Sequence, residues 1–97
     1  MKELQPHHVQ AAQSFNSRAR HFLYWTEGKA TDKAVAELVG ESQGNYSAAL
    51  RGTRGGTLDR VCRWMTTWNA QGFPAMRLEV RGGTAGVYWD SNEGPWT

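Results

Sequence analysis

The side chains best equipped for chemistry lie between Ser42 and Arg51. Gln43, Asn45 and Ser47 contribute two amides and a hydroxyl within five positions, and Arg51 and Arg54 follow. A primary amide donates and accepts at once, so it matches the N6 and N7 edge of adenine; a guanidinium matches guanine or two phosphate oxygens. Gly44 lies among them, either permitting close backbone approach or simply weakening the segment. Residues 42–63 hold Arg51, Arg54, Arg60 and Arg63 against Asp59 alone, whereas residues 1–41 balance basic and acidic side chains. The formal net charge is only +2, so the positive charge is concentrated mid-chain, where it would attract a phosphate backbone or serve as a solvated face.

Other chemistries find less support. His7, His8 and His21 have no cysteine or carboxylate at metal-ligand spacing, so no metal and no cofactor is expected. Cys62, the single cysteine, is read as a buried thiol on the apolar face of a helix. Gly82-Gly83 has no following helix or Lys-Ser/Thr pair and reads as a turn, not a phosphate loop. No serine–histidine–acid order is evident, and enzymatic activity is not expected.

The elements that must position these residues read as helices followed by a hairpin. A first helix spans 6–26, with Val9, Ala12, Phe15, Ala19, Phe22, Leu23 and Thr26 at three- and four-residue spacing and Gly28 as its stop. Arg18 and Arg20 fall off that stripe, and one of Tyr24 and Trp25 is expected to be partly exposed. Thr31 caps a second helix with Val35, Leu38 and Val39 inward and Gly40 at its end. Ser42 caps a third, with Tyr46 and Leu50 inward and Gly52 as its stop. After a loop at 52–56, Thr57 caps a fourth helix with Leu58, Val61, Cys62, Met65 and Trp68 on one face. Trp64 and Trp68, four apart, either pack in the core or form a dimer contact. Beyond Pro74 the period changes to two: Met76, Leu78 and Val80 alternate with Arg77, Glu79 and Arg81, Gly82-Gly83 turns the chain, and Val87, Tyr88 and Trp89 return it. The tail 91–97 contains Gly94-Pro95 and reads as irregular.

The span Thr31–Gly52 carries a more specific pattern. Two short helices crossing steeply need a small residue where they touch, a left-handed turn residue and an apolar residue facing back; Ala36, Gly40 and Tyr46 meet these needs in that order. With Thr31, Val35-Ala36, Gly40, Ser42-Gln43, Ser47 and Arg51-Gly52, the segment resembles the lambda-repressor-like (Cro/repressor type) helix-turn-helix family. It departs from that pattern at Glu41, where the turn is usually apolar, and at Ala49, where a larger aliphatic residue is usual. The resemblance implies a mainly α fold of four to five helices, here with a C-terminal β-hairpin. It also implies a recognition helix at Ser42–Arg51 in the major groove of double-stranded DNA, and a small phage or bacterial regulator.

On that reading Gln43, Gly44, Asn45 and Ser47 face bases, while Thr31, Lys33, Ser42, Arg51 and Arg54 face phosphates. Each has a plainer alternative as a solvated polar residue or a cap. One domain is expected over 1–97, with a helical core at 6–70 and a hairpin at 75–90. A homodimer would read half-sites about 34 Å apart, with the fourth helix and the hairpin as its suspected interface. The hairpin otherwise packs on the helices or acts as a wing through Arg77 and Arg81. The aromatic content, from Trp64 and Trp68 to Tyr88, Trp89 and Trp96, keeps two further readings open: a protein-interaction module, such as an antitoxin or host-factor inhibitor, and a phage DNA-packaging adaptor. No stretch reads as a membrane span or a signal peptide, and a cytoplasmic location is expected.

Overall fold

A computed structural model of the chain describes residues 7–28, 31–53 and 57–90. Four helices, α1 (His7–Glu27), α2 (Asp32–Leu38), α3 (Gln43–Arg51) and α4 (Thr57–Ala70), precede strands β1 (Met76–Arg81) and β2 (Thr84–Trp89). The protein is mainly helical with one small antiparallel sheet. The tail at 91–97, Pro6 and Arg54 lie outside the described residues.

Helix α1 is the spine, because one stripe of it meets every other layer. Val9, Ala12, Phe15, Ala19, Phe22 and Leu23 are buried along it, as the three- and four-residue spacing requires. Against them pack Val35 and Ala36 of α2, Tyr46 and Ala49 of α3, Val61, Trp64, Met65 and Trp68 of α4, and Met76, Ala85, Val87 and Trp89 of the hairpin, in one continuous core. Phe15 meets both tryptophans of α4, with ring centroids 5.6 Å from Trp64 and 6.1 Å from Trp68. Both tryptophans are thus core residues.

Several sequence expectations are corrected. Cys62 is exposed. The buried stripe of α4 is Val61, Trp64, Met65 and Trp68, and Cys62 is one residue, or about 100°, off its start. Leu58 is 44% exposed; it sits in the first turn, ahead of the turns that carry the buried residues. Thr57, read as a cap, is the first residue of the helix itself. Thr26 is exposed and its hydroxyl donates to the Phe22 carbonyl 2.9 Å away. Tyr24 and Trp25 are both exposed, not one of them, because the buried stripe of α1 ends at Leu23.

The hairpin follows from its turn. Gly82 and Gly83 have φ of +58° and +82°, the left-handed pair that a two-residue turn demands. Arg81 therefore pairs with Thr84, and the register continues through Val80–Ala85 and Leu78–Val87 to Met76–Trp89. In an antiparallel ladder alternate pairs turn their N–H and C=O groups away from the partner strand. For β2, α1 meets those groups with side chains one turn apart: Gln10 accepts from the Ala85 N–H, Ser14 accepts from the Val87 N–H at 2.8 Å and donates to its carbonyl, and the Arg18 guanidinium also donates to that carbonyl. Arg18 further covers the Tyr88 ring. The hairpin thus packs on the helices through a polar stripe of α1, beside the apolar one.

Candidate nucleic-acid interface

The α2–turn–α3 unit is fixed by its own caps. The Thr31 hydroxyl accepts from the Ala34 N–H at 3.1 Å, and the Ser42 hydroxyl from the Asn45 N–H at 3.2 Å, each satisfying an otherwise orphan donor of a helix start. Between the helices Gly40 adopts φ +74°, and the Glu41 N–H returns to the Ala36 carbonyl at 3.0 Å. Ala36 is buried at this crossing and Tyr46 is fully buried.

Two side-chain networks hold the unit against its neighbours. In the first, the Tyr46 hydroxyl donates to Asn16 Oδ1 at 2.9 Å, and Asn16 Nδ2 donates to Asp32 at 3.0 Å. Asp32 also pairs with Arg20 at 3.2 Å. One amide of α1 thus ties the middle of α3 to the start of α2. Burial, reinforced by the Asp32 charge and opposed by Arg20, pushes the Tyr46 hydroxyl pKa far above its ordinary range.

In the second network, Glu41 accepts from Trp64 Nε1 at 3.0 Å and pairs with Arg60 at 3.0 Å. The carboxylate that looked out of place in the turn is the anchor of the turn on α4. Burial pushes its pKa up, but the Trp64 hydrogen bond and the Arg60 charge outweigh that, and the carboxyl sits below the usual 4.5. A carboxyl more acidic when folded than unfolded adds stability that is present above its unfolded value and is lost as pH falls through its folded value. The melting temperature of the wild type is therefore expected to fall as pH drops below about 4.5, and Glu41→Gln to remove part of that slope when the two are melted side by side across pH 3–7.

The candidate contact residues divide by how committed they are. Gln43, Lys33 and Arg51 are exposed, and their side chains make no hydrogen bond or ion pair among the described residues. Gly44 is exposed and an added Cβ would meet nothing within 4 Å. Ser47 is half-buried, as is Asn45, whose amide leans on the Glu41 carboxylate. Thr31 and Ser42 are exposed while serving as caps. Of the mid-chain arginines, Arg60 is consumed by Glu41, whereas Arg51 and Arg63 are exposed. Arg77, considered for a wing, is instead engaged by Glu79 and by Asp90, and these bonds raise its pKa.

Sequence reasoning missed Asn16, Glu41–Arg60 and the Gln10–Ser14–Arg18 stripe. Only the last had a sequence signal, its four-residue spacing. A separate groove of about 480 Å³ runs along α1 past Asn16, Arg20 and Tyr24 to Leu50. Compared with protein-family models, curated protein sequences and solved structures, the chain matches none.

Proposed function

We propose that the protein is a sequence-specific double-stranded DNA-binding regulator, a repressor of the lambda-repressor-like class, that reads the major groove with α3 as a homodimer. The observation that carries this reading is the outward surface of α3. It presents Gln43, Gly44 and Arg51 to solvent with no carboxylate in the helix, at the end of a rigid turn. Among the described residues the Gln43 and Arg51 side chains are not used by the fold, and Lys33 at the start of α2 makes no hydrogen bond or ion pair. Gly44 adds to the case: its φ is not left-handed and no neighbour needs the space, so the fold gains nothing from a helix-weakening glycine there. Backbone approach to a ligand gives it a use. The aromatic surface that favoured a protein partner is reduced, since Trp64, Trp68 and Trp89 are interior.

Binding to fragments of the protein's own upstream region at several salt concentrations tests this. The wild type is expected to select one fragment, with affinity falling steeply as salt rises. Gln43→Ala should lower discrimination by about 1–3 kcal/mol, while Arg51→Ala weakens all fragments and reduces the salt slope by about one. A wild type with no appreciable affinity even at low salt rules the reading out.

A further inference from the structure

The edges of the hairpin are treated unequally. On β2, the outward groups of Ala85 and Val87 are met by Gln10, Ser14 and Arg18 of α1. On β1, Asn69 of α4 takes both groups of Met76, accepting from its N–H at 3.1 Å and donating to its carbonyl at 3.4 Å. Further along β1 this protection stops. Leu78 and Val80 face Val87 and Ala85 in the pairs whose backbone groups point outward, and those outward groups have no partner among the described residues. The Gly82 N–H follows the same direction, because the Arg81 carbonyl across the trans peptide is turned inward to Thr84. Val80 is also 61% exposed, an apolar side chain at the one strand edge left open. Natural sheets usually cover, charge or bend such an edge.

We propose that this edge pairs with the same edge of a second copy, β1 running antiparallel to β1 about a two-fold axis at Val80. The register is selected by what each alternative brings together. An axis at Glu79 would set Glu79 against its own copy, like charges directly opposite. An axis at Leu78 would direct Val80 of one copy onto Met76 of the other, whose N–H Asn69 already holds. An axis at Val80 exchanges both backbone bonds between the two Val80 residues and offers each Gly82 N–H to the opposite Leu78 carbonyl. It takes the two copies of Glu79 out of direct opposition and buries the two exposed valines on each other. It also keeps each incoming strand farthest from α4. Because α1 covers β2, each copy offers one open edge, so pairing closes at two and does not propagate.

The DNA reading calls for a dimer and this inference rests on it in that respect, but the test of the pairing needs no DNA, so either can fail alone. The outward Val80 N–H takes no part in the hairpin, and proline at an edge position whose N–H faces outward is tolerated. Val80→Pro should therefore leave the fold intact by circular dichroism while weakening the dimer about thirtyfold in sedimentation equilibrium, the loss of two symmetric bonds. Val80→Asp, which sets two carboxylates against each other on the axis, should weaken it as well, and mixing that variant with Val80→Lys should restore association between the two. A wild type that stays monomeric through hundreds of micromolar (roughly the upper end of weak association) overturns the proposal. So does a dimer that survives both Val80→Pro and Val80→Asp.

Discussion

Trp64→Ala is expected to cost about 3–5 kcal/mol of folding stability, the largest effect of any single truncation considered. The indole is fully buried, meets the tilted rings of Tyr46 and Phe15 at centroid distances of 4.6 and 5.6 Å, and donates to Glu41. Its removal opens a cavity where α1, α3 and α4 meet and also strands a nearly buried carboxylate. A domain this size has about 5–15 kcal/mol in total, so the loss is a large fraction of the whole. Urea denaturation measures the loss. Trp64→Phe keeps one aromatic ring in the core and removes the Glu41 bond with the pyrrole half of the indole; the bond alone should cost about 1–3 kcal/mol. Near-equal losses in the two variants would mean that the hydrogen bond dominates and that α4 relaxes to fill the cavity.

Trp64 also shows where the sequence was legible and where it was not. The caps at Thr31 and Ser42, the stops at Gly40 and Gly52 and the turn at Gly82-Gly83 were all readable, because each depends on a residue and its immediate neighbours. The face of α4 was read less well. A period of 3.6 admits two overlapping stripes, one through Leu58 and Cys62 and one through Trp64, and local spacing cannot choose between them. Aromatic area decides: a buried indole removes far more apolar surface from water than a thiol does, so the helix turns Trp64 inward and leaves Cys62 in solvent. The networks at Asn16 and Glu41 were illegible for a different reason. Glu41 and Trp64 are 23 residues apart, and Asn16 and Tyr46 are 30 apart. Nothing local in a polar residue announces a partner at that distance. Part of the candidate surface was affected in the same way. By sequence Arg60 adds to a positive field, yet its carboxylate partner lies 19 residues away, and Asn45 reads as a base contact although it sits against Glu41.

The two glycines of α3 should respond oppositely to the same substitution. Gly52 ends the helix at φ +79°, and a Cβ there would lie 2.9 Å from Val9 Cγ2, a branched side chain that is itself buried. Left-handed strain of about 1–2 kcal/mol adds to an overpacking cost of about 1–3 kcal/mol. Gly52→Ala should therefore destabilise by about 2–5 kcal/mol on those two terms. Gly44 has neither constraint, and Gly44→Ala should stabilise by up to about 1 kcal/mol. The pair then bears on function. If stability alone governed binding, Gly44→Ala would bind DNA at least as well as wild type. On the proposed DNA reading, with the start of α3 seated in the major groove, the added methyl would instead meet the DNA and lower affinity by about 1–3 kcal/mol, the cost of forcing a group into a close-packed contact. Thermal melting and DNA titration on the same preparation distinguish these outcomes. A more stable protein that binds less tightly places Gly44 against the DNA. Unchanged affinity places it clear of the DNA and leaves Gln43 and Arg51 to carry recognition.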